Sequence, residues 1–169
     1  MCERKTVRKW FWVWDFDKEE RWLNEMALQG WVLDGVGFCT YHFKKCEPGE
    51  YAVRLEMRPH DESYIAFMEE TGAEFVGRFT MWIYFRKKVE DGAFDLYSDI
   101  DSKIAHLDRI GRVLAVIGGL NLLCAFMNSV GVGTWVGVLN TICATVLMYG
   151  LGRIHGKKES LQQARQLYE

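Results

Sequence analysis

Asp15, Asp17, Glu19 and Glu20 gather four carboxylates in six positions, a spacing that can hold a cation or pair a general acid with a base. Asp17 with Glu20 three residues on is also a capping box, and Glu19 is favourable in a first helical turn. Helix initiation therefore accounts for the group without chemistry. Cys39, His42 and Cys46 resemble a metal set, but residues 39 and 42 of a strand point to opposite faces and no fourth ligand is near. His60 and His106 stand beside acidic neighbours, as solvated surface residues do, and His155 belongs to a basic stretch. No serine or cysteine comes with a base at a recognisable spacing, and no Gly-x-x-x-x-Gly-Lys phosphate loop occurs. The expectation is a non-enzymatic protein with no catalytic, cofactor or metal residue.

Binding is the better-supported chemistry. Strand alternation places Trp10, Trp12 and Trp14 on one side of a sheet, with Trp82, Tyr84, Arg78 and Arg86 on the same side of a later strand and Arg54 and Arg58 beside them. Trp, Tyr and Arg are the types enriched in binding hot spots, and an open apolar face of this size rarely goes unused. The face is read as a platform for a protein partner, another copy of the chain or a small amphipathic ligand. It can instead be covered by a second copy, or by Phe94, Leu96 and Tyr97 folding back. A net charge of -2 and a pI near 6.1 argue against nucleic acid.

These side chains must be positioned by a repeat. Laid on itself at an offset of about 42 residues, the chain aligns Met26 with Met68, Gly30 with Gly72, Gly35 with Gly77, Phe43 with Phe85 and Lys45 with Lys87. Each half reads strand, helix, strand. Trp10–Trp14 supplies the first strand, with Phe11 and Val13 inward. Trp22, Leu23 and Met26 form one helical stripe, ended by Gly30; Tyr64, Ile65 and Met68 form the other, capped by Asp61 and ended by Gly72. The β-prone runs Trp31–Lys45 and Glu74–Lys88 follow, each with a glycine near its start where a bulge fits. Two such units predict an α+β fold, a ferredoxin-like βαββαβ sandwich with a four-stranded sheet and both helices on one face.

The apolar mass lies later. Residues 113–130 and 135–151 carry no ionisable side chain, and each stretch approaches the roughly 18 residues of a membrane span. The chain divides accordingly: a cytoplasmic α+β domain over 1–90, a linker over 91–98, an amphipathic helix over 99–112, spans over 113–130 and 135–151 joined by a loop at 131–134, and a basic helical tail over 152–169. Lys103, Arg109 and Arg112 precede the hairpin, and Arg153, Lys157 and Lys158 follow it, so both ends are expected in the cytoplasm. The basic N-terminus precedes too short an apolar run for a secretory signal. Five cysteines without a Cys-x-x-Cys pair read as reduced thiols. Gly111, Ala115 and Gly119 on one span, and Gly133, Gly137, Thr141 and Thr145 on the other, recur every four residues as helix-packing stripes. Asn121 and Asn140 lie at matching depth, where mutual hydrogen bonding is worth about 0.6 kcal/mol.

The stretch Trp10-Phe11-Trp12-Val13-Trp14-Asp15-Phe16-Asp17, with Trp22-Leu23-Asn24-Glu25-Met26 and Gly30-Trp31, resembles the opening of a bacterial family, domain of unknown function 2812. Glu69-Glu70-Thr71-Gly72-Ala73-Glu74 and Phe94-Asp95-Leu96-Tyr97-Ser98-Asp99 fit as well, so that the likeness covers roughly the first two thirds of the chain. The resemblance implies a membrane-anchored protein of the bacterial cytoplasmic membrane, often encoded beside PadR-type regulators, and transfers no catalytic residue. Together these features predict a membrane-tethered binding or sensing module. The alternative is a structural or accessory membrane subunit assembling through its transmembrane hairpin.

Overall fold

The computed structural model describes residues 3–97, 99–131 and 134–168. The chain forms two units, Met1–Ser98 and Asp99–Glu169. The first is α+β and contains β1 (Arg4–Arg8), α1 (Phe16–Leu28), β2 (Trp31–Gly37), β3 (Thr40–Lys45), β4 (Tyr51–Met57), α2 (Glu62–Glu70), β5 (Glu74–Phe79) and β6 (Trp82–Lys88). The second is a pair of long helices, α3 (Ile100–Gly131) and α4 (Thr134–Tyr168).

The repeat is present, but each half is strand–helix–hairpin. The strands form two three-stranded antiparallel sheets, ordered β1-β3-β2 and β4-β6-β5, in place of the single four-stranded sheet of a ferredoxin-like sandwich. The reason is length. As one strand, Trp31–Lys45 would extend about 50 Å at about 3.3 Å per residue, well beyond the usual strand. It folds back instead at Phe38 and Cys39, and its counterpart folds back at Thr80 and Met81. Both turns take a left-handed residue that is not glycine, Cys39 at φ 50° and Thr80 at φ 53°, so neither carries the usual hairpin signature.

The glycines obey the repeat. Gly30 and Gly72 close their helices at φ 82° and 85°, and the pairing register shifts at Leu33/Gly35 in one hairpin and at Phe75/Gly77 in the other. The first strand does not. Arg4 opposite Lys44 corresponds to Val53 opposite Arg86, so β1 lies upstream of the tryptophans. Trp10, Trp12 and Trp14 belong instead to the connector between β1 and α1, whose end is a 3-10 turn at Val13–Asp15. Asp61 caps α2 by accepting from the Ser63 and Tyr64 amides. The Asp17 capping box is absent, because α1 already begins at Phe16 and makes Asp17 a first-turn residue.

Leu23, Met26 and Ala27 of α1 are buried with Val32, Leu33, Tyr41 and Phe43 of the first hairpin. A second cluster joins Met68, Ala73, Ile83 and Phe85 to Phe94, with Leu96 packed against it. Residues 94–96 are thus part of this core and not a free linker.

In the helical unit, α3 runs unbroken for 32 residues and α4 for 35. At about 1.5 Å per residue each is about 50 Å long, more than the roughly 30 Å of a bilayer's hydrocarbon core. The charged ends pair across the hairpin, Lys158 with Asp108 at 2.7 Å and Arg165 with Asp101 at 2.8 Å. The buried line follows His106, Leu107, Ile110, Leu114, Gly118 and Ala125 on α3 and Gly137, Ala144, Gly150 and Ile154 on α4, so that His106 is a core residue and not the solvated surface residue expected.

Candidate functional site

The expected platform does not exist as one open face. Tyr84, Trp82, Arg86 and Trp14 are buried, Arg54 and Arg58 are half-buried, and Arg78, Trp10 and Trp12 are exposed. Within the chain the cover over Trp82, Tyr84 and Arg86 comes from the first half of the repeat, and Phe94 lies against Arg54 at 6.0 Å. Tyr84 Oη donates to Glu19 Oε1 at 2.7 Å, the Trp82 ring lies 5.8 Å from that of Phe16, and Arg86 donates to Leu33 O at 2.7 Å. Glu19 and Phe16 come from α1 and Leu33 from β2, so sheet β4-β6-β5 is roofed by elements of the other half.

Two buried polar groups, Glu19 and Arg86, hold this junction, and a third, Glu56, is engaged within the second half. Glu19 accepts from Tyr41 Oη at 2.8 Å and from Tyr84 Oη, which joins one hydroxyl from each sheet to α1. Burial raises the Glu19 carboxyl, and the two hydroxyl donors oppose that rise. Burial and the adjacent carboxylate push both tyrosines up. Glu20 is also raised by burial, with Arg54 opposing. Arg86 meets Glu74 through two nitrogens at 2.7 Å each and Asp34 at 3.2 Å. Glu56 accepts from Tyr64 Oη at 2.8 Å, and burial, then Glu56, push that phenol up to about 12. Each group is hydrogen-bonded to its neighbours. Among the described residues no three His, Cys, Asp or Glu side chains are grouped to hold a metal ion.

Glu19 makes a pH prediction. A carboxyl raised in the folded state contributes its full stability below its unfolded value, near 4.5, and loses it as pH rises through the folded value. Glu19→Gln keeps an acceptor for both tyrosines and removes the charge. Urea midpoints of the full chain in mild detergent should therefore converge below pH 4.5 and separate at neutral pH, with the variant higher. A variant midpoint that tracks wild type at every pH would show that Glu19 is not strained by burial.

What remains open is one end of the α+β unit. Lys9 N donates to Cys39 O at 3.0 Å, bringing the connector against the β2–β3 turn. Trp10 then lies 5.4 Å from Trp12 and 6.3 Å from Phe38, and Phe38 lies 5.9 Å from Phe79 beside the β5–β6 turn. Trp12 in turn stacks on buried Trp14 at 4.9 Å. Trp10, Trp12 and Phe38 are 56%, 45% and 71% exposed, and Met81 is exposed beside them. Strand alternation puts Phe38 on the same face as the tryptophans but turns Met81 inward to the helix side, so that of these residues only Met81 was missed, its one signal being a large apolar residue in a hairpin turn.

The helix stripes also differ from expectation. Gly111 faces Leu151 and Ile154, and Gly137 is so close to α3 that an added Cβ would stand 2.7 Å from Ser129 Oγ and 3.3 Å from Ala125 O. Ala115 and Thr141 are exposed, and a Cβ at Gly119 would meet nothing within 4 Å. Gly118, not Gly119, lies at the contact, against Leu147 and Met148. Steps of four residues advance about 40° past a full helical turn, so a strict i+4 stripe winds off the interface that a seven-residue repeat follows. Asn121 donates to Ile117 O within its own helix at 2.9 Å. Gly133 lies outside the described residues. Gly137→Leu should weaken the hairpin by about 1–3 kcal/mol through overpacking, read as unfolding in SDS, and Gly119→Leu should not.

Fold and site together define a tandem α+β repeat protein with an apolar helical hairpin appended. The chain belongs to the family described as protein of unknown function DUF2812, which matches residues 15–118, from the start of α1 into the middle of α3. No curated protein and no solved structure matches it.

Proposed function

We propose that the chain is a membrane-anchored, non-enzymatic binding module, with α3 and α4 crossing a bacterial cytoplasmic membrane and the aromatic end of the α+β unit as its contact surface. The supporting observation is the outer surface of the hairpin. Both helices are long and apolar enough to span, yet only 22% and 17% of their apolar windows are buried. Leu120, Leu123, Phe126, Met127, Leu139 and Ile142 face outward from a contact line made largely of small residues. A soluble domain would have to cover such residues, whereas lipid solvates them. Basic residues at 109, 112, 153, 157 and 158 flank the apolar stretches, which supports a topology with both ends on the cytoplasmic side.

The alternative of a subunit assembling through its small-residue stripe has less support, because Gly111, Gly118 and Gly137 are already used inside the hairpin. The full chain should stay with membranes after alkaline carbonate washing. Protease added to intact, wall-stripped cells should spare the α+β unit. Recovery in the carbonate supernatant would refute the anchor, and digestion in intact cells would refute the topology.

A further inference from the structure

We infer that the aromatic end of the α+β unit is itself a lipid contact, seating Trp10, Trp12, Phe38 and Met81 in the headgroup region of an anionic bilayer. The inference rests on the membrane reading of α3 and α4, since those helices supply the bilayer. Its first support is charge. Residues 4–14, 35–46 and 75–88 contain no Asp or Glu at all, although the chain as a whole carries a net charge of -2.

The fold gathers the ends of these segments. Arg8 pairs with Thr40, Lys9 donates to Cys39 O, and Arg78 stands on β5 just before the second turn. The Arg58 amide donates to Met81 O at 2.8 Å, but its guanidinium is already held by Glu56 at 3.7 Å and by the Tyr64 ring. Arg8, Lys9 and Arg78 are exposed and form no ion pair among the described residues, and the Lys9 ammonium lies over the Trp22 and Phe11 rings at 4.5 and 5.0 Å. Two carboxylates near this end are paired within the fold, Asp15 with Lys18 at 2.9 Å and Glu56 with Arg58 at 3.7 Å and Tyr64, whereas Asp61 and Glu62, which follow Arg58, are exposed. Glu3 lies at the far end of β1, beside Lys45.

The second support is the type of apolar residue. Tryptophan rings flanked by Lys and Arg are the residues of membrane–water interfaces, where the ring sits among headgroups and the cation reaches the phosphate. Protein interfaces carry a polar rim that is usually of mixed sign. A two-fold contact between copies would oppose Arg8, Lys9 and Arg78 to themselves, so like-charge repulsion disfavours a second copy. An anionic lipid surface meets both the single sign and the aromatic content.

The test uses the full chain, one copy per nanodisc, in phosphatidylcholine alone and in an equimolar mixture with phosphatidylglycerol. Amide hydrogen exchange is followed in peptides covering residues 8–14, 37–40 and 78–82. Exchange there should slow several-fold in the anionic discs relative to the neutral ones, and high salt should reverse the slowing. Exchange in α2 should not change. Arg8→Glu with Arg78→Glu should abolish the slowing; if that variant does not fold, the salt titration of the wild-type chain decides. Retention in the disc with equal exchange in both lipids would overturn the lipid contact and leave the anchor standing. A chain that does not enter the disc at all would overturn both. Slowing that needs two chains per disc would assign the surface to a second copy and overturn the inference.

Discussion

Arg86→Ala should destabilise the α+β unit by about 3 kcal/mol, the usual cost of breaking a buried ion pair from one side. Arg86 is buried on β6 and holds Glu74 on β5 through two nitrogens, while its third reaches Leu33 O and Asp34 on β2. One guanidinium thus ties the two sheets together. Glu74 and Asp34 keep some access to water, which limits the loss when the cation is removed. Arg86→Lys should recover little, because an ammonium cannot supply a planar fork and a third donor at once. Urea unfolding of both variants, followed by near-ultraviolet circular dichroism, measures the difference. Wild-type stability in Arg86→Ala would mean that the sheets are held by apolar packing alone.

Arg86 also shows where reading the sequence stops. Alternation along Trp82, Tyr84 and Arg86 correctly puts the three on one side of a strand. It cannot show that α1 and β2 of the other half lie over that side, because the cover is a long-range packing event. The glycines were legible, since a left-handed helix end and a register shift both favour residues without a Cβ. The hairpin turns were not, because Cys39 and Thr80 take positive φ without the Asn-Gly pattern that announces it.

The misplaced first strand has a related cause. Alternating Trp10, Trp12 and Trp14 imitate a half-buried strand, whereas the real β1, Arg-Lys-Thr-Val-Arg, shows no apolar alternation. It is exposed at nearly every position and is defined by its backbone pairing to β3. For the helical hairpin, apolar length and flanking charge were plain in the sequence. The contact line was not, because several small residues compete for it and only the helix crossing selects among them.

The second large effect is expected at Asn24, a residue that reads as an ordinary polar position between Leu23 and Met26 of α1. Strand β4 is at the edge of its sheet, so one side of its backbone lacks a strand partner. Asn24 supplies the missing groups: Oδ1 accepts from Val53 N at 2.9 Å and Nδ2 donates to Val53 O at 2.9 Å. Glu20 Oε2 adds a bond from Leu55 N at 3.3 Å. Two side chains of a helix thereby close an edge that would otherwise template pairing with another chain. Val53 is fully buried, so water cannot replace the amide without opening the core. Asn24→Leu should leave the Val53 amide unpaired, at about 1–3 kcal/mol, while Val53 O keeps the Arg54 Nη1 donor at 3.0 Å. Asn24→Asp should lose less, because a carboxylate still accepts from Val53 N. The loss should also have a local signature. The Val53 amide should exchange with solvent much faster in Asn24→Leu, while the Phe43 amide, in the other sheet, changes only as global stability requires. Uniform acceleration at both sites would mean that α1 merely packs on β4 and does not complete its hydrogen bonding.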